Sequence, residues 1–509
     1  MTDLTYSEMH EERRSAALAM GGERKLKERA ARGDLNARER VALLFDEGTF
    51  AETGLFATSP RDEDKDKTPA DGKVTGTGDI DARRAAVIAY DFTVKGASSS
   101  ATSNKKMGHM KELAARGMPL VYLAESTGVR MPDVMGGTGL GSANDKARFL
   151  RRRESPWASA VFGYSFGSAA WHTVSSDFAV FRKGAMMAVS SPGLVERATG
   201  HAVDREELGG WKHHATITGF ADAVASTDEE AIGLVRQFLS YLPSHNGEAP
   251  PVAPVTPGSG ERSAELNSLV PESRTTVYDV RKIIEVIADE GSVFPIKAQF
   301  GKSLVTSLAR INGQSVGFIA SNPLFKGGAV DVAAAEKATS FIVLCDSYNI
   351  PIVFLVDQPG FLIGIEAERN KIVGKVINWM NALSLATVPK VTLMLRKNYG
   401  QAYVNMGGAF TADATAAWWS AEVSFMDPRS AVSVVHGIDP ETEPDEYERR
   451  LAEMSKESTA YDVARVYGVQ DVIDPADSRQ FILTALRDNA LSRTNGVGDH
   501  LLSSWPTSF

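Results

Sequence analysis

The chain has 509 residues, 43% hydrophobic and 23% charged, the size and balance of an ordinary globular enzyme of two or three domains. Its net charge of −9 argues against a general nucleic-acid binder, and the triplet Arg151-Arg152-Arg153 is too short to reverse that and reads as a solvated helix face. The one cysteine, Cys345, allows no internal disulfide, and its apolar run Ser340-Phe-Ile-Val-Leu-Cys345 marks a buried structural thiol in a reducing compartment. With charged residues from Glu8 to Arg14 in place of a signal region, and no apolar run of about 18 residues, the expectation is a cytoplasmic protein that neither binds nucleic acid nor meets a membrane.

In chain order, residues 7–33 interleave Glu with Arg and Lys around a sparse apolar face and predict a helical arm lying on another surface. Leu35 to Leu44 carries a stronger helical stripe. Pro60 to Gly72 has no periodicity and reads as a mobile loop. Ala85 to Tyr90 predicts a strand, Lys105 to Arg116 a helix, and Pro119 to Ala124 a strand buried on both faces. Alternation continues through 158–162, 167–173 and 185–190, the pattern of βαβ units with parallel pairing. Five prolines between Pro243 and Pro257 mark a linker. Beyond it, strands are expected near 315–320, 351–356 and 390–395, and an acidic surface helix over 440–450.

The chain repeats itself. Pro119-Leu-Val-Tyr-Leu-Ala-Glu-Ser-Thr-Gly128 returns 232 residues later as Pro351-Ile-Val-Phe-Leu-Val-Asp-Gln-Pro-Gly360. Lys95-Gly96, Lys106, Pro156, Gly167, Ala169 and Pro192 recur as Lys326-Gly327, Lys337, Pro389, Gly400, Ala402 and Pro428. A period this long is a whole domain. The predicted division is an arm over 1–34, a first domain over 35–245, a linker over 246–274 and a second domain over 275–509.

Several motifs fail. Gly301-Lys302-Ser303 lacks the upstream glycine of a phosphate loop, where Ile296 stands instead. Gly137-Thr-Gly139-Leu-Gly141 has the wrong spacing for a dinucleotide fingerprint and reads as a flexible loop. His213 and His214, if on a strand, face opposite ways and cannot share a metal, so no metal is expected. Gly163-Tyr-Ser165-Phe-Gly167 fits the serine nucleophile elbow, with His201, His213 and His214 downstream. Its duplicate, Lys397-Asn-Tyr399-Gly400, keeps the last glycine and lacks the serine. A turn glycine explains both copies; serine chemistry explains one.

What the copies share is a strand exit, Gly128-Val129-Arg130 against Gly360-Phe361-Leu362, and a helix entry, Phe166-Gly167-Ser168-Ala169 against Tyr399-Gly400-Gln401-Ala402. Unbonded N–H groups at a helix start attract negative charge, and two aimed at one point form an oxyanion hole worth about 2.7–4 kcal/mol per donor. Small residues let a thioester approach the backbone.

These residues resemble the carboxyltransferase (β) subunit of biotin-dependent acyl-CoA carboxylases of the propionyl-CoA and acetyl-CoA type. Leu35-Asn-Ala-Arg-Glu-Arg-Val-Ala-Leu-Leu-Phe-Asp46, Gly72-Lys-Val-Thr-Gly76, Asp91-Phe-Thr-Val94, Glu206-Glu-Leu-Gly-Gly210, Pro359-Gly-Phe-Leu362 and Arg396-Lys397 fall in register with that family over nearly the whole chain. The resemblance implies an α/β fold of two tandem crotonase-like domains, each a β-β-α superhelix. It also implies a homo-hexamer (a trimer of dimers) in which the first domain of one protomer, holding acyl-CoA, faces the second domain of another, holding biotin.

The chain lacks the Ala-Met-Lys-Met attachment tetrad, so biotin is expected as a cofactor on a separate biotin carboxylase and carrier (α) subunit. The implied mechanism takes carbon dioxide from carboxybiotin, uses the biotin anion as base, and holds the thioester enolate in a backbone hole. Carried over by position, the first hole is Gly167-Ser168 and the second Gln401-Ala402. Gly128, Val129, Arg130, Phe166 and Val404 line the acyl-CoA side, and Gly360, Phe361, Tyr399 and Gly400 the biotin side. Phe166, Ser168, Gln401 and Val404 depart from the family's small or acidic residues and point to an acyl-CoA other than plain acetyl- or propionyl-CoA. Two alternatives stay open: the same transfer inside a biotin-dependent decarboxylase or transcarboxylase, and a non-catalytic scaffold paralogue.

Overall fold

Each copy of the repeat builds its own eight-stranded sheet. In the computed structural model, which describes residues 5–143, 151–408 and 411–506, the first sheet holds β1 (Ala51–Thr53), β2 (Lys73–Ile80), β3 (Arg83–Tyr90), β4 (Leu120–Ser126), β5 (Trp157–Phe166), β6 (Phe178–Arg182), β7 (Met186–Ala188) and β8 (Ala223–Ala225). Their order is β1-β2-β3-β4-β5-β6-β8, with β7 added beside β5. The second sheet holds β9 (Phe294–Ile296), β10 (Leu304–Ile311), β11 (Gln314–Ser321), β12 (Ile352–Gln358), β13 (Lys390–Tyr399), β14 (Ala414–Trp418), β15 (Glu422–Ser424) and β16 (Asp471–Ile473). Read outward from β9 it repeats the first, with β15 beside β13. One compact unit is built on Met1–Gly247 and the other on Glu248–Ser503.

The pairing follows from the connections. β2 and β3 are joined by a two-residue turn and pair antiparallel, as do β10 and β11. From β3 to β5 and from β11 to β13 each crossover carries a helix, and the pairing is parallel. The apolar runs of β4 and β12 are buried at every residue, which requires cover on both faces. Helices Ala101–Ala114 and Val332–Ser347 fill the crossovers, started by side-chain caps from Ser100 and Asp331. On them the repeated lysines perform one task. Lys106 Nζ donates to the carbonyls of Ala70 and Lys73 at 2.7 and 2.6 Å, and Lys337 Nζ to those of Lys297, Phe300 and Leu304 at 2.9–3.0 Å.

A further repeated detail aims the site. Between β4 and β5 the register runs Ala124↔Val161, then Ser126↔Ser165, so the β5 side spends two extra residues. Between β12 and β13 it runs Val356↔Met394, then Gln358↔Asn398, with the same excess. Each bulge falls near the end of the longer strand, shortly before the helix that follows it.

The structure corrects four readings. The arm is two helices, Tyr6–Leu18 and Glu23–Ala30, interrupted where Met20 and Gly22 take positive φ. Pro60 to Gly72 is not wholly loose, because Thr68 to Gly72 is buried apart from the half-buried Pro69 and Asp71 is fully enclosed. Gly136–Ala143 is a helix rather than a flexible loop. Arg151 is no solvated helix residue: it pairs with Asp177 at 2.5 Å and lies over the Trp157 ring at 4.0 Å. Among the described residues no helix is long and apolar enough to cross a membrane.

Candidate active site

The strand exits adopt one conformation in both halves. Ser99 N–H donates to Gly128 O at 2.8 Å and Arg130 N–H to Ser99 O at 2.8 Å, so the Val129 N–H between them points away from this pairing. In the second half Val330 N–H donates to Gly360 O at 3.0 Å and Leu362 N–H to Val330 O at 2.8 Å, leaving Phe361 N–H in the same position. Gly128 and Gly360 sit at φ 100° and 124°, where a Cβ would be strained.

The helix entries match as well. Gly167 at φ 59° opens the helix Ser168–Val174, and Gly400 at φ 64° precedes Gln401, which already has helical angles of −61° and −28°. Ser168 therefore corresponds to Gln401, and Ala169 to Ala402. The first intrahelical bonds come later, Trp171 N–H to Gly167 O at 3.1 Å and Tyr403 N–H to Gly400 O at 3.1 Å. Among the described residues the N–H groups of Val129, Ser168 and Ala169, and of Phe361, Gln401 and Ala402, have no acceptor. In each half two of these are donors left over at a helix start, and the third belongs to the strand exit.

In the first half exit and entry touch: a Cβ at Gly128 would stand 3.5 Å from Phe166 O, and one at Gly167 3.8 Å from Gly128 Cα. In the second half a Cβ at Gly360 would meet no atom within 4 Å, and one at Gly400 would stand 3.2 Å from Phe425 O. Gly400 N–H is already spent on Ser424 O at 3.1 Å, so the free donors there begin at Gln401.

Side chains fall into two groups. Val129 and Gln401 are exposed and Val404 and Phe361 half-buried, open to a ligand. Phe166 is buried and stacked on Tyr164 with centroids 5.4 Å apart, so it forms wall. Arg130 is a correction. Its guanidinium is buried and paired with Asp71 at 2.5 Å, Asp133 at 3.4 Å and Ser98 O at 3.0 Å, so it braces the strand exit from inside the protein instead of standing open as a cation for acyl-CoA. The Tyr399 side chain is likewise spent. It is buried, its hydroxyl takes a hydrogen bond from Arg274, and burial together with the Glu422 carboxylate raises its pKa.

Ser165 lies inside β5, fully buried with its hydroxyl unpaired among the described residues, which is no place for a nucleophile. His213 and His214 are on helical turns, not a strand, and His214 is committed to Met187 O at 2.8 Å and Thr218 Oγ1 at 2.9 Å.

A charge cluster behind β4 was invisible in the sequence. Glu125, one residue before Ser126, accepts from Arg29 Nη2 at 2.8 Å and Arg40 Nη1 at 2.7 Å. Arg40 Nε reaches Asp228 at 2.8 Å, and Arg182 joins Asp228 at 2.8 Å to Asp34 at 2.7 Å. Burial pushes the Glu125 carboxyl up, but Arg40 and Arg29 outweigh it and hold the group below its ordinary range. Its partners lie 85 and 96 residues away in sequence, so no local spacing signals them.

A family model described as a carboxyl transferase domain matches residues 28–494. The propionyl-CoA carboxylase carboxyltransferase subunit of Haloferax mediterranei is 35% identical, over 94% of this chain and 94% of its own. The methylmalonyl-CoA decarboxylase subunit alpha of Veillonella parvula is 32% identical, over 96% of each chain. The solved transcarboxylase 12S structure, a hexamer assembly with methylmalonyl-coenzyme A bound, superposes with a TM-score of 0.87 at 35% identity over 96% of each chain. The two-sheet architecture is thus the crotonase-like one that the motifs imply, and the chain belongs to the carboxyl transferase domain family as a carboxyltransferase subunit of the biotin-dependent acyl-CoA carboxylase type.

Proposed function

We propose that this chain moves a carboxyl group between biotin on a separate α subunit and the α-carbon of an acyl-CoA, inside a cytoplasmic homo-hexameric core. The acyl-CoA side is assigned to the first domain and the biotin side to the second. The observation that carries the reading is the repeated set of unbonded main-chain donors at a strand exit and a helix entry. Biotin supplies the transferable carboxyl and the base. The chain supplies position and charge stabilisation: Val129, Ser168 and Ala169 N–H hold the oxygen of the thioester as it becomes an enolate, and Phe361, Gln401 and Ala402 N–H hold the ureido oxygen. The open space at Gly360 fits a bulky bicyclic group.

Main-chain donors survive the departures at Ser168 and Gln401, which supports an active enzyme over a scaffold paralogue. Val404 in place of an acid, and the Phe166 wall, support an acyl group other than acetyl or propionyl. Ile363, Ile365, Val373, Ile377 and Phe425, all exposed in this chain, fit burial by another protomer. The similarity to decarboxylase and transcarboxylase relatives keeps the direction of transfer tied to the partner subunits. The test is an assay of the complex copurified with this chain against acyl-CoAs of graded size, with bicarbonate and ATP. ATP-dependent carboxylation of an acyl-CoA other than acetyl- or propionyl-CoA is the expected result, and no product from any acyl-CoA in the presence of a competent α subunit would overturn the reading.

A further inference from the structure

Under the second helix entry lies a buried pair of amides with no counterpart in the first half. Gln358 and Asn398 are Cα partners across β12 and β13, just past the bulge, and both are fully buried. Gln358 Nε2 donates to Asn398 Oδ1 at 2.7 Å and to Tyr399 O at 3.2 Å. Gln358 Oε1 and Asn398 Nδ2 have no partner among the described residues. An unpaired buried amide atom costs about 1–3 kcal/mol, so an apolar pair would fold more cheaply here. The same register position in the first half holds Ser126 opposite Ser165. There Ser126 Oγ donates to Ala97 O at 2.9 Å and accepts from Gly128 N–H at 3.1 Å, so it ties only its own strand exit.

The amide pair does something the serines do not: it reaches across to the peptide that starts the next helix. Tyr399 O is held by Gln358, and the N–H of the same peptide, on Gly400, is held by Ser424 O at 3.1 Å. Fixing both edges of that peptide plane fixes the direction in which the chain leaves Gly400. The N–H groups of Gln401 and Ala402 take their aim from it.

We propose that Gln358, held in place by Asn398, is a positioning residue for the second hole, setting the aim of the Gln401 and Ala402 donors on the biotin side. The proposal rests on the carboxyl-transfer reading. The side chains do not touch the reacting atoms; they act through the Tyr399–Gly400 peptide. The first hole, tied within its own strand exit, does not depend on them.

The test is to transplant the first half's solution, as the double substitution Gln358→Ser and Asn398→Ser, which the same bulged register already tolerates as Ser126 and Ser165. Carboxyl transfer from malonyl-type CoA thioesters to biocytin is followed in the whole chain. The expected result is a KM for biocytin raised about tenfold or more, with the KM for the thioester within about twofold. Asn398→Ala, which keeps the Gln358 bond to Tyr399 O, is a milder change that secures the test if the double variant folds poorly; it is expected to move the biocytin KM by about threefold.

Hydrogen exchange gives a readout that needs no turnover: residues 399–404 should exchange about tenfold faster in the double variant while residues 166–170 do not change. Equal shifts in both KM values, an unchanged biocytin KM, or unaltered exchange at 399–404 would overturn the proposal. A wild-type chain that transfers nothing to biocytin, yet shows the exchange change in the double variant, would overturn the functional reading and leave the clamp standing.

Discussion

Replacing Gln401 with proline deletes one main-chain donor while leaving the backbone almost undisturbed. Gln401 has φ −61°, within the range that proline's ring imposes, and it stands at the N-cap just before Ala402, where no intrahelical bond from its N–H is lost. The preceding residue, Gly400, has no Cβ to clash with the ring. The Gln401 N–H has no acceptor among the described residues, and the Gln401 side chain is exposed, with Met380 Sδ at 3.5 Å as its described hydrogen-bond partner. Folding stability should therefore change by less than about 1 kcal/mol. A lost oxyanion donor costs about 2.7–4 kcal/mol in the transition state, a fall in kcat of about 100- to 1,000-fold. Gln401→Ala removes the side chain and keeps the donor, so its kcat should stay within about twofold. The assay is carboxyl transfer between a malonyl-type thioester and biocytin, with a melting curve for each variant. A proline variant that keeps its rate, or an alanine variant that loses as much as the proline one, would refute the main-chain role.

The remaining predictions concern the scaffold and the rejected nucleophile. Glu125→Gln leaves Arg29 and Arg40 short of a buried counter-charge and should destabilise the first unit by about 3–5 kcal/mol, read from denaturant unfolding. Acid should destabilise the chain in two ranges. His172 is buried against Lys111, and burial holds its pKa well below its ordinary 6.5; the unfolded chain therefore takes up a proton first, and stability begins to fall below that pH. Glu125, held below its ordinary 4.5, adds stability that is lost as the pH drops through that value and under it. A melting temperature flat from pH 7 to about 5 would contradict the His172 assignment, and one with no further fall below about 4.5 would contradict that of Glu125. Ser165→Ala should leave transfer unchanged within about twofold, and a fluorophosphonate probe should not label the protein; labelling at Ser165 would revive serine chemistry.

Much of the fold is legible because the informative signals are local. Buried parallel strands show as continuous apolar runs, and β4 and β12 were placed to within two residues at either end. The repeat itself predicts that two sheets share one order, because equal sequences at equal spacing must satisfy the same pairing. The helix entries were visible through Gly167 and Gly400, whose positive φ values need glycine. Long-range charge pairing was not legible. Arg130 reads as a ligand-facing cation until Asp71, 59 residues upstream, is found against it. Pro60 to Gly72 reads as loose because the partners that bury its C-terminal end lie elsewhere in the chain, as Ser100 and Arg130 do for Asp71. The arm was read as one helix because charge patterning has no way to register the positive φ at Met20.

The central claim is that paired main-chain amides hold the oxygen that becomes negative during transfer. It is tested most directly by a structure of the assembled protein bound to a CoA thioester analogue bearing a fixed enolate-like oxygen. That oxygen is expected about 2.7–3.1 Å from the main-chain nitrogens of Val129 and Ser168. An oxygen held instead by a side chain, or amides found bonded within the protein when the analogue is bound, would contradict the account.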